Sequence, residues 1–129
     1  MLAVDTNILV RYISNDHAEQ AARARRLIDD EEIFVPITVL IETAWVLRRA
    51  FGFDRSAIAA ALQSFAGLPN VALEEPELAR RALDWTEQGL DFADAVHLAK
   101  AAKCEAFVSF DRQMAARARR VGSILVRAP

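Results

Sequence analysis

Three features of the sequence predict an α/β fold, a three-layer α/β/α sandwich around a central parallel sheet of four to five strands. Short apolar runs of strand length recur along the chain, and stretches with helical spacing of apolar residues separate them. Parallel strands need long crossover connections and helices supply them, so this alternation implies a sheet covered on both faces. No linker, fixed-period repeat or shift of composition divides residues 1–129, which predicts one domain.

The elements follow in order. Leu2-Ala3-Val4 reads as the central strand, buried on both faces, with Asp5 at its end and Asp5-Thr6-Asn7 turning into a helix over Ile8 to Ile13. His17 to Asp30 carries Ala18, Ala21, Leu27 and Ile28 near helical spacing, with Arg23, Arg25 and Arg26 on the remaining surface. Ile33-Phe34-Val35 is the second strand. Pro36 suits the first turn of a long apolar helix to about Phe51, and Gly52 stops it. Asp54 is a natural N-cap for the next helix, with Ile58, Ala61, Leu62 and Phe65 inward, and Gly67-Leu68-Pro69-Asn70 breaks it. Val71-Ala72-Leu73 is the third strand. Glu75-Pro76-Glu77 opens a helix that Gly89 closes. Asp91 to Lys103 is helical, Ala106 to Phe110 a fourth strand, Asp111 to Arg120 the last helix and Ser123 to Val126 a fifth strand.

Composition narrows the function. Hydrophobic residues make up 53% and charged residues 26%, an ordinary globular balance with too few Gly and Pro for disorder. A single cysteine, Cys104, allows no internal disulfide, and the N-terminus has no signal-peptide pattern, so a cytoplasmic protein is expected. No apolar segment approaches the roughly 20 residues needed to cross a bilayer. The net charge of −2 gives no bulk attraction to nucleic acid. A polyanion would need local arginines or a bound cation.

Chemistry in a parallel sheet lies beyond the carboxyl ends of the strands. Asp5 and Asp111 follow strands directly. Asp94 reaches the same edge because its helix joins the fourth strand through a tight Lys103-Cys104-Glu105 turn and runs antiparallel to it. Asp91 falls one turn earlier. Glu42 sits in a helix apolar on nearly every side, about 9 Å from its start at 1.5 Å per residue, where a buried carboxylate is costly without a partner. Taken singly, Asp5 and Asp111 read as helix caps, and Asp91 with Asp94 as N-cap and N3 residues. Their convergence with Glu42 at one edge points instead to a shared site. Clustered carboxylates repel unless a cation neutralises them, and an all-oxygen set without His or Cys ligands favours Mg²⁺ or Mn²⁺ over zinc. His97 is expected to pack or to support the site, and His17 to lie on the surface. A hard divalent ion held by acids serves phosphoryl chemistry, which points to a nuclease or phosphatase. Arg11, Arg48 and Arg112 are candidate partners for phosphate.

The chain resembles the PIN-domain ribonucleases, in particular the VapC-type toxins of toxin–antitoxin modules. The resemblance spans the whole chain and is carried by Val4-Asp5-Thr6-Asn7, Ile41-Glu42, Asp91-Phe92-Ala93-Asp94-Ala95 and Ser109-Phe110-Asp111-Arg112, in that order. It implies a catalytic, metal-binding quartet of Asp5, Glu42, Asp94 and Asp111, one or two Mg²⁺ or Mn²⁺ ions, hydrolysis of RNA, a homodimer, and inhibition by a cognate VapB-like antitoxin that can push a basic side chain into the acidic pocket. Ser109 stands where the family often has Thr, and Asp91 is an additional acid beside the quartet. A haloacid dehalogenase-type phosphatase fits poorly, because the position two residues after Asp5 is Asn7 rather than an acid. A receiver domain would need an aspartate after the third strand, where Glu74 stands. A PIN-like module that only binds RNA or protein is the non-enzymatic alternative.

Overall fold

Local sequence signals place most of the elements. The computed structural model describes residues 1–129, in the order β1 (Leu2–Ala3), α1 (Thr6–Ser14), α2 (Ala18–Asp30), β2 (Ile33–Val35), α3 (Ile37–Phe51), α4 (Arg55–Ala66), β3 (Val71–Leu73), α5 (Pro76–Glu87), α6 (Phe92–Lys100), β4 (Ala106–Val108), α7 (Arg112–Val121) and β5 (Leu125–Arg127). All strand pairing is parallel, as the α/β sandwich requires.

Acidic residues open four of the helices. Asp5, Asp54, Asp91 and Asp111 each accept a backbone N–H from the first turn of the helix that follows. His17 does the same for α2 through its ring nitrogen, which places it at the surface as expected. Gly52 closes α3 at a φ of 70°, a left-handed conformation that costs glycine little. Helix α3 has no cap of its own, because Pro36 precedes it. Glu74, just beyond β3, supplies one by accepting the Ile37 N–H at 2.9 Å. Asn70 ties the same region to α2, its amide donating to the Ile28 and Glu31 carbonyls.

The sheet departs from the expected single ladder. β1, β2 and β3 pair in that order, with Ala3 opposite Phe34 and Phe34 opposite Ala72, whereas β4 pairs only with β5, Phe107 opposite Val126. β1 therefore ends a three-stranded ladder instead of lying at the centre of five. It is not buried on both faces either: Leu2 is 44% exposed and Val4, at the turn, is the first buried residue. With no ladder between β1 and β4, nothing hydrogen-bonds the free edge of β1.

Several boundaries also shift. α1 begins at Thr6, two residues before the expected Ile8. α6 stops at Lys100 and the chain turns through Ala101–Cys104. β4 stops at Val108, because the Ser109 hydroxyl accepts the Asp111 N–H at 3.0 Å and bends the chain into α7. β5 lies two residues later at its start than the pattern predicts.

Helices α3 and α6 hold the site in place. α3 packs on α1, α4 and α6, and α6 also packs on α5. Their inward residues Leu40, Ala44, Leu47, Ala95, Val96 and Leu98 join one core with Leu9, Ile28, Ile33 and Phe65. That continuity fixes four acid-bearing segments to a common body.

Candidate active site

The outward stripe of α3 differs from expectation. Thr38, Glu42, Trp45 and Arg49 recur at helical spacing and are all exposed, while Leu40, Thr43, Ala44 and Leu47 are buried. Glu42 is therefore an exposed residue and not a carboxylate sunk in an apolar helix. Apolar neighbours on both sides in the sequence concealed this, because the exposed stripe itself contains a tryptophan.

Glu42 is nevertheless held. The buried Thr6, next to Asp5, donates its hydroxyl hydrogen bond to Glu42 Oε1 and so ties the β1–α1 turn to the middle of α3. Asp5 is exposed and its carboxylate accepts the Asn7 and Ile8 N–H groups at 3.1 and 3.4 Å. It opens onto a cleft of about 480 Å³ that it shares with Arg11, Gln20 and Arg23. Glu42 and Asp91 line a different cavity, of about 280 Å³, together with Trp45 and Ala93.

Asp91, Asp94 and Asp111 form the second half of the site. Asp91 accepts the Asp94 N–H at 3.3 Å, and Asp111 accepts that of Met114 at 3.0 Å. Burial, then the charges of Asp91 and Asp111, raise the Asp94 carboxyl above its ordinary value, while His97 and Arg55 oppose the shift. His97 sits one turn along α6 with its ring stacked on Phe107, 6.3 Å between centroids, and acts on Asp94 through charge.

The structure thus joins Thr6 to Glu42, Glu42 to Asp91 across one cavity, and Asp94 to Asp91 and to Asp111 through their fields. It does not draw Asp5 into direct contact with the other acids. As the side chains stand, no three of the His, Cys, Asp and Glu residues come close enough to hold a metal ion. In kind, however, the donors fit a hard divalent cation: all are carboxylates or hydroxyls, and Asp94 is raised by burial and by Asp91 and Asp111, an effect that His97 and Arg55 only partly offset and that a cation would oppose.

The arginines are distributed differently from the expected set. Arg11 is taken up by Asp16, at 2.9 Å, and by Gln20. Arg48 and Arg117 both stand near Arg55. Burial and these two like charges lower the Arg55 pKa, and Asp91 and Asp94 act against that. Arg55 also donates to the Gly89 carbonyl at 2.8 Å, just before the Asp91 turn, and its Nε has no hydrogen-bond partner. Arg55 and Arg117 carry no local signal in the sequence, since each stands at an ordinary helix position.

No curated protein matches this sequence. The profile of the PIN domain family matches residues 2–120, a span that contains every acid of the site and all strands but β5. The chain belongs to the PIN domain family.

Proposed function

We propose that the protein is a Mg²⁺- or Mn²⁺-dependent endoribonuclease of the VapC-like toxin type. PIN domains are generally nucleases. The observation that carries the reading for this chain is Asp94, whose partly buried carboxyl is pushed up first by burial and then by the charges of Asp91 and Asp111. Such repulsion is a cost to the fold that a bound cation repays.

In this reading Asp5, Glu42, Asp94 and Asp111 hold the metal and form the catalytic set. Bound there, a divalent ion would supply activation of a water and stabilisation of charge on the phosphodiester. The protein's own groups prepare for it. Thr6 fixes the Glu42 carboxylate, Ser109 bends the chain so that Asp111 begins α7, and Asp91 shapes the start of α6 beneath Asp94. Arg48, Arg55 and Arg117 supply positive charge that an anionic strand needs beside so many acids. RNA is the substrate, a VapB-like antitoxin the inhibitor, a homodimer the working assembly and the cytoplasm the setting.

End-labelled single-stranded RNA tests the reading. Cleavage is expected with Mg²⁺ or Mn²⁺, and should vanish with chelator, in Asp5→Ala and in Asp94→Asn. Cleavage that persists in chelator or in either variant would overturn the mechanism. Loss of cleavage under every condition, with RNA binding intact, would make the chain a binding module. Induced expression that arrests growth for the wild type but not for Asp94→Asn would support the toxin role.

A further inference from the structure

We infer that one base of a single-stranded RNA stacks on Trp45, which makes Trp45 a specificity-determining residue beside the acids; this rests on the ribonuclease reading above. Trp45 is 62% exposed. A single exposed apolar residue is ordinary, so its surroundings carry the argument. It lies one turn beyond Glu42 on the outward stripe of α3 and lines the same cavity of about 280 Å³ as Glu42 and Asp91. The other walls of that cavity include Ile41, Ala44 and Ala93, so its lining joins apolar surface to two carboxylates.

Positive charge continues the same face. The Arg49 guanidinium stands over the Trp45 ring, 5.9 Å from its centroid, and most of the tryptophan remains exposed to a base. Arg48 and Arg49 then line the next hollow, at the end of α3, with Phe53. Carboxylate, aromatic and guanidinium in sequence along one helix match what a single strand offers: a phosphate at the metal, a base beside it and a further phosphate beyond. A docked protein would be a poorer fit, because Glu42 and Asp91 line the same cavity and acidic residues are depleted from the cores of protein interfaces. Stacking on an aromatic is sequence-tolerant and is worth roughly 5- to 150-fold in affinity by alanine substitution.

The test uses the chain's own fluorescence. It holds two tryptophans, so Trp85→Phe leaves Trp45 as the sole reporter. In chelator, a mixed-sequence single-stranded oligoribonucleotide should quench that emission. Trp45→Ala should weaken binding by roughly 5- to 150-fold, and Trp45→Phe should restore part of it. With Mn²⁺ present, Trp45→Ala should raise KM and leave kcat near the wild-type value, since a stacked base is held equally before and during cleavage. Unchanged affinity and KM in Trp45→Ala would overturn the assignment while leaving the nuclease reading intact. A wild type that never cleaves would sink the nuclease reading, and quenching with affinity loss would then still decide Trp45. Absence of RNA binding altogether, or a change of oligomeric mass in Trp45→Ala with RNA affinity unaltered, would also overturn it, the latter in favour of a second copy or another protein on this face.

Discussion

Asp94 is where the chemistry and the stability of this protein oppose each other. Its carboxyl is raised above the ordinary 3.8, so between that value and the raised one the folded chain binds more protons than the unfolded chain. Stability falls as pH rises through that window, and above it the whole penalty persists. Asp94→Asn removes the charge. In chelator at neutral pH the variant should melt higher than the wild type, by about 1–4 °C, and the difference should shrink as pH falls toward 4. A lower melting point would mean that Asp94 is paired in solution. Thr6 offers a second check at this scale. Thr6→Val keeps the side-chain shape but removes the donor to Glu42, which should cost about 1 kcal/mol in urea unfolding and roughly 10- to 100-fold in RNA cleavage. Wild-type cleavage in that variant would show that Glu42 needs no such orientation. The caps at Asp5, Asp91 and Asp111 were legible from neighbouring residues alone. The Thr6 contact was not, because its partner lies 36 residues away.

Helix α3 shows how far pattern reading extends to whole elements. Its existence, its start after Pro36 and its stop at Gly52 follow from local residues. Its orientation does not, since Trp45 in the sequence looks like core and in the fold faces water. That one residue inverted the expectation for Glu42, which shares its stripe. The cap of α3 was equally hidden. Glu74 reaches the Ile37 N–H from beyond β3, so Glu74→Ala should destabilise the protein by about 0.5–2 kcal/mol, read as a lower urea midpoint with an unchanged slope. No loss would mean that solvent serves that N–H as well as the carboxylate does.

At the scale of the molecule, the α/β class was readable because strand and helix periodicities alternate cleanly. The pairing of the strands was not readable. Periodicity identifies a strand but not its neighbour, and a run as short as β1 makes only two register pairs. The arginine cluster lay beyond reach for a similar reason: Arg48, Arg55 and Arg117 belong to three different helices and meet only through the packing of the core. With a net charge of −2, attraction for RNA must come from such local groups. Arg48→Ala should therefore weaken RNA binding and reduce the salt slope by about 0.7 if it covers one phosphate of a single strand, and an unchanged slope would remove it from the interface.

In the proposed mechanism, acids from separate elements make one cation site. Calorimetric titration of the protein with Mn²⁺ in the absence of RNA measures that site by itself. Saturable binding is expected for the wild type, lost or strongly weakened in Asp94→Asn and in Asp111→Asn. No binding by the wild type, or binding of equal strength in both variants, would rule the shared site out.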